Sequence, residues 1–208
     1  MINTKVLTTH KVSAHVSTQD TISLVMVTIL TLLALIAGLL LRNSVESRTR
    51  SYTDPSGVVV QYPDTWQLDA TAAAQGTLAM HDTQAPDFPT TFELRRTAVA
   101  PKATDKAALS SVADTLALNR GRTSTAYKLF NVTQGQSIKG LPAASADYVY
   151  VKVPNGVLQS NLPAVVLGKD YLLRKGAKVY TLGLQATQSN MEQATQLFDK
   201  FIASAQLP

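Results

Sequence analysis

The 208-residue chain contains no cysteine. That excludes disulfide staples, thiolate zinc sites, iron–sulfur ligation and cysteine nucleophiles, so the fold must hold by packing alone. Histidine is scarce as well, and of the 3 present only His81 lies beyond residue 15. His10 and His15, five residues apart, do not share a helical face and make no metal site between them. No G-x-S-x-G elbow accompanies His81, so no Ser-His-Asp or Cys-His arrangement is available. We therefore expect a protein that is not an enzyme, with no catalytic, cofactor or metal residue to nominate. The 19 Lys and Arg are interspersed with 14 Asp and Glu and form no dense basic stripe among aromatics, which argues against nucleic-acid binding despite the net charge of +5.

Against this thin background one segment stands out. From Thr21 to Leu41 the sequence TISLVMVTILTLLALIAGLLL carries no charge and is bounded by Asp20 and Arg42. A helix of this length reaches about 30 Å, the thickness of a bilayer's hydrocarbon core. The run is longer than the apolar core of a secretory signal, about 7–15 residues, and LRNSVESRTR after it offers no small-x-small cleavage site. It reads as an uncleaved single-pass anchor, which makes the lipid bilayer a partner. Ala34 and Gly38 form a small-xxx-small pair suited to close helix packing, so other integral membrane subunits are expected neighbours. The domain plan is a flexible tail at 1–20, a transmembrane helix at 21–41, a polar linker at 42–56 and a soluble domain at 57–208. Lys5 and Lys11 before the helix oppose Arg42, Arg48 and Arg50 after it, so local charge favours a cytoplasmic C-terminal side by the margin of one residue. Large domains cross regardless of so small a bias, and a short tail before a folded C-terminal domain is a common single-pass plan. With the resemblance given at the end of this section, the expectation is a cell-membrane protein with that domain extracytoplasmic.

Past the linker, period-two apolar runs predict strands at 57–62, 77–81, 90–99, 127–133, 144–153, 164–174 and 177–186. The last two read as a hairpin through Arg174-Lys175-Gly176-Ala177, and Arg174, Lys175 and Lys178 give it a basic tip, a candidate partner contact. Two stretches change to helical period. In 104–119, Leu109, Val112, Ala113 and Leu116 share one face, and Gly121 is the expected stop. In 190–205, Met191, Ala194, Phe198, Phe201 and Ile202 do the same, with Ser189 and Glu192 at capping-box spacing. The order predicts an α+β domain with an antiparallel sheet covered by helices. Trp66 and Tyr62 are expected to pack in the core beside the first strand.

The entry to this domain, with Tyr52, Asp54, Gly57 to Tyr62, Pro63 and Trp66, resembles that of PsbP-type domains. Ile138-Lys139-Gly140-Leu141-Pro142-Ala143-Ala144 leading into Tyr148-Val149-Tyr150, and the closing Phe198-Asp199-Lys200-Phe201-Ile202-Ala203-Ser204, agree with it in order. The resemblance covers about residues 51–207. It implies an α/β/α sandwich around a central antiparallel sheet, and a noncatalytic accessory or assembly subunit of a larger bacterial membrane complex, for instance an energy-transducing one. The alternative it leaves open is a membrane-anchored extracytoplasmic domain that binds a small ligand or metal.

Overall fold

The computed structural model describes residues 18–46, 48–69, 72, 76–84, 88–153 and 162–208. The chain divides into two units, Met1–Arg48 and Thr49–Pro208.

Helix α1 (Thr18–Glu46) forms the first unit. Its described apolar side chains are exposed, with Leu30 at 68% and Ile36 at 47%. Those described side chains, Val25–Leu40, cover about 24 Å of axis. Among the described residues no helix is long and apolar enough to cross a membrane. The ends of the expected span, at Thr21 and Leu41, lie outside the described side chains. The expected tail at 1–20 falls outside the described residues up to position 17 and is α1 from Thr18.

The second unit is built on sheets. Strands β1 (Thr49–Thr53) and β2 (Val59–Pro63) form an antiparallel hairpin. The remaining strands make one seven-stranded antiparallel sheet. They are β3 (Trp66–Leu68), β4 (Thr77–Asp82), β5 (Thr91–Ala98), β6 (Thr125–Ile138), β7 (Leu141–Lys152), β8 (Ala164–Lys175) and β9 (Lys178–Thr187). The order across the sheet is β3-β4-β5-β9-β8-β7-β6, with β9 brought between β5 and β8. Two helices flank it, α2 (Asp105–Thr123) and α3 (Met191–Ser204).

The layers follow from the alternation of side chains along β8. Leu172 packs with the α2 stripe Ala108, Leu109, Val112, Ala113 and Leu116, whereas its neighbour Leu173 packs with Phe198, Phe201 and Ile202 of α3. Adjacent residues of a strand point to opposite faces, so the helices lie on opposite sides, and the domain is α/β/α. The α3 side holds the larger core, where Phe92 meets Trp66, Phe198 and Phe201 at ring separations of 4.5, 5.1 and 5.2 Å. Trp66 and Tyr62 are core residues, as their position beside an apolar strand indicates.

Local details differ from the sequence expectations. Within the segment 42–56 expected as a linker, residues 42–46 belong to α1 and Thr49–Thr53 form β1. Strand β1 has no apolar period to announce it, since Tyr52 is its one partly buried residue; its ladder with β2 defines it. Gly121 does not stop α2, which continues to Thr123 and ends where Ser124 N–H bonds Arg120 O. Nor does a capping box form on α3: Asn190 is the N-cap without a side-chain bond, and Ser189 Oγ lies 3.1 Å from Thr187 Oγ1 instead.

Turn chemistry joins the hairpins. Lys139 and Gly140, both at positive φ (54° and 74°), make the two-residue turn between β6 and β7. Primed turns of this kind match the right-handed twist of the strands. Lys139 Nζ then reaches across to the carbonyls of Ala203 (2.8 Å) and Ala205 (2.5 Å), so the hairpin tip ties down the C-terminal end of α3.

Candidate functional site

On the α2 face of the sheet, polar side chains gather where the helix ends. Arg120, in the last turn of α2, binds both oxygens of Asp170, with Nη2 3.1 Å from Oδ1 and Nη1 in contact with Oδ2. Its guanidinium also lies 4.0 Å from Glu93 Oε2 and stacks 4.1 Å from the ring centre of Tyr148. Glu93 in turn holds Arg95 at 3.1 Å. Asp170 is 1% exposed, so this is a buried pair whose charges must compensate each other.

Two glycines make the room. A Cβ on Gly168 would sit 2.1 Å from Tyr148 Cζ, and one on Gly183 would sit 2.9 Å from Asp170 Oδ1. Neither needs a glycine for its backbone conformation; each is needed because a side chain lies across it. Tyr148 is flanked by Tyr127 and Tyr150 at 5.7 and 6.4 Å between ring centres. Tyr150 Oη donates to Gln185 Oε1 at 2.7 Å. Tyr148 Oη and Thr181 Oγ1 are buried with no hydrogen-bond partner among the described residues.

The electrostatics follow from burial. Burial pushes the Asp170 carboxyl above its ordinary value while Arg120 pulls it back. Burial likewise disfavours the charge on Arg120, and Asp170 more than offsets this, so the guanidinium stays charged. Burial raises Tyr148 well above its ordinary value and pushes Tyr150 up to about 12. An arginine held by two carboxylates is no open anion receptor, and a carboxylate held by arginine is a weak base. The cluster therefore clamps α2 to β5, β7 and β8.

The residues nominated from sequence fall elsewhere. Arg174, nominated as a partner contact, is 8% exposed, donates to Ala103 O at 2.6 Å and Gly176 O at 3.2 Å, and pairs with Asp105 at 3.0 Å. It fastens the β8–β9 hairpin to the start of α2. Lys175 and Lys178 are exposed at that turn, and Lys175 Nζ donates to Leu207 O at 2.7 Å. The three share a hairpin but not a surface. Ala34 and Gly38 are exposed on α1, and a Cβ on Gly38 would meet nothing within 4 Å. His81 is half-buried on β4, opposite Thr91 and two register steps from Glu93's partner Ala79. Among the described residues no three His, Cys, Asp or Glu side chains are placed to hold a metal ion.

A groove of about 590 Å³ opens between the first turn of α2 and the β6–β7 hairpin. Leu109, Pro142 and Ala143 give it an apolar floor, and Gln134, Gln136 and Ser137, with the charged Asp105 and Lys106, line its walls. Sequence reasoning missed both the groove and the clamp. Arg120 and Asp170 are 50 residues apart, and the chain gives no local sign that they meet.

No protein-family model matches the chain, and no curated protein matches its sequence. Solved structures do match. Cyanobacterial PsbP (CyanoP) from Synechocystis superposes with a TM-score of 0.54 at 15% identity, over 77% of this chain and 92% of that one. The Saccharomyces cerevisiae Ran-binding protein Mog1p gives 0.48 at 10% identity, over 76% and 95%. LpqN of Mycobacterium tuberculosis, involved in cell envelope biogenesis, gives 0.45 at 15% identity, over 76% and 90%. The PsbP superposition shows that the sheet domain has a PsbP-like fold.

Proposed function

We propose that this chain is a noncatalytic accessory or assembly subunit of a larger bacterial membrane complex, which sets its PsbP-like domain at the membrane surface. The observation that carries the proposal is α1, whose large apolar side chains stand exposed along its described length. Leaving each in water forgoes about 1.5–3 kcal/mol of burial. A bilayer or neighbouring helices remove that cost. Extended by the apolar residues at its two ends, the Thr21–Leu41 run has the length of a hydrocarbon core. Thr31 Oγ1 donates to Val27 O at 2.8 Å, so one polar group on the helix is satisfied without water. Ala34 and Gly38 leave a shallow strip against which a helix of another integral subunit fits. The sheet domain is extracytoplasmic in this reading. The PsbP-like fold supports an accessory or binding role, and the buried Arg120–Asp170 pair supports a structural rather than a chemical use of these charges.

Extraction of native membranes in mild detergent tests this. We expect a defined set of integral membrane subunits to co-purify in fixed stoichiometry, and a lone monomer would overturn the reading.

The groove beside α2 favours a second reading, a membrane-anchored extracytoplasmic domain that binds a small ligand. Thermal-shift screening with metabolites would then raise the melting temperature for one chemical class, and a flat response across the panel would remove it.

A further inference from the structure

The two helices leave different parts of the sheet uncovered. α2 packs on β6 to β9, whereas α3 packs on β2 and β9. Past the Arg120–Glu93 contact, the sheet face beyond α2 carries Thr91, Arg95 and His81, a polar surface at home in water. Beyond the reach of α3 lie Val149 opposite Leu167, and Val151 opposite Val165. None of these four belongs to a core cluster, and Val165 is 51% exposed. Phe130 on β6 (59%) and Leu162, two residues before β8 (85%), are further exposed apolar side chains on or next to these strands. Lys128 and Lys169 flank it, with Lys128 Nζ 5.6 Å from the Phe130 ring centre and Lys169 Nζ 5.5 Å from that of Tyr171. Asp147 is the one carboxylate among the register neighbours on this face. From Val153 to Gly168 the sequence holds no charged residue.

The place where the chain enters the domain lies toward the same end of the sheet. One register row runs from Gln67 through His81, Thr91, Gln185 and Gly168 to Tyr148. Trp66 on β3 and Leu167 on β8 both stand one step from that row on the same side, and Val165 lies further that way. Pro63, opposite Thr49, precedes Trp66 by three residues, at most about 11 Å of chain. The entry point and the apolar patch thus face one end of the sheet, about 24 Å apart across five strand spacings.

We propose that this patch, Phe130, Val151, Leu162 and Val165 with Lys128 and Lys169, docks on the anionic lipid surface of the membrane in which α1 is held. The inference rests on the anchor reading of α1 and adds a second contact with the same bilayer. Apolar side chains enter the headgroup boundary while lysine ammonium groups stay at the phosphates, the arrangement that interfacial binding requires.

The absence of cysteine makes the test direct. Single-cysteine variants F130C, L162C and, at the opposite end of the sheet, K178C are labelled with an environment-sensitive fluorophore. Each full chain is reconstituted into vesicles of phosphatidylcholine, with or without phosphatidylglycerol, that carry a lipid-borne quencher. Flotation of the vesicles is scored first, and a chain that fails to float overturns both the anchor and the patch. On floated vesicles we expect about twofold or greater quenching at positions 130 and 162 relative to 178. It should depend on phosphatidylglycerol and weaken when Lys128→Gln and Lys169→Gln are combined with the label. Equal quenching at all three positions would overturn the patch and leave the anchor standing.

Discussion

At the scale of residues, the clamp under α2 is held by compensation and spoiled by single changes. Arg120→Met strands the buried Asp170 charge, and we expect a loss of about 3–5 kcal/mol in urea unfolding. The double variant with Asp170→Leu should recover most of it, since neither charge is then buried; equal losses would show that the pair is not coupled. Tyr148 gives the opposite sign. Its hydroxyl is buried without a described partner, so Tyr148→Phe should stabilise the domain by about 1 kcal/mol at neutral pH. The raised values of Tyr148 and Tyr150 also set an alkaline limit. Above pH 10 the unfolded chain releases these protons while the folded chain keeps them, so the unfolded state binds fewer protons and stability falls as pH rises. Each group contributes about 1.4 kcal/mol per pH unit until it ionises in the folded state, near pH 12 for Tyr150. Tyr148→Phe should make that slope shallower in pH-dependent unfolding. Little of this was legible beforehand. Gly168 and Gly183 look like ordinary strand interruptions until Tyr148 and Asp170 are found lying across them.

At the scale of elements, apolar period is what the sequence transmits. Strands β4, β5, β8 and β9 match their predicted runs within about two residues, because each buries alternate side chains under α3. β1 escaped because a hairpin held by backbone ladders needs no apolar face, and β3 because three residues carry no period. The end of α2 was misplaced for a related reason: Arg120 is held by Asp170, and that tertiary tie carries the helix past Gly121. The same logic assigns a role to Lys139, which sits in a turn yet donates to the last carbonyls of α3. Lys139→Met should cost about 1–3 kcal/mol and loosen hydrogen-exchange protection in the last turn of α3 and in β6. Unchanged protection there would show that the tie is incidental.

At the scale of the whole molecule, the proposed role depends on whether α1 is held in a bilayer. With α1 in a membrane, the apolar, lysine-flanked end of the sheet has a lipid surface to meet. The measurement that tests the central claim most directly is alkaline carbonate extraction of native membranes, followed by flotation and detection of the full chain. The account predicts that the chain stays with the floated bilayer. Its release into the carbonate supernatant, as a peripheral protein is released, would contradict the anchor and the accessory role built on it.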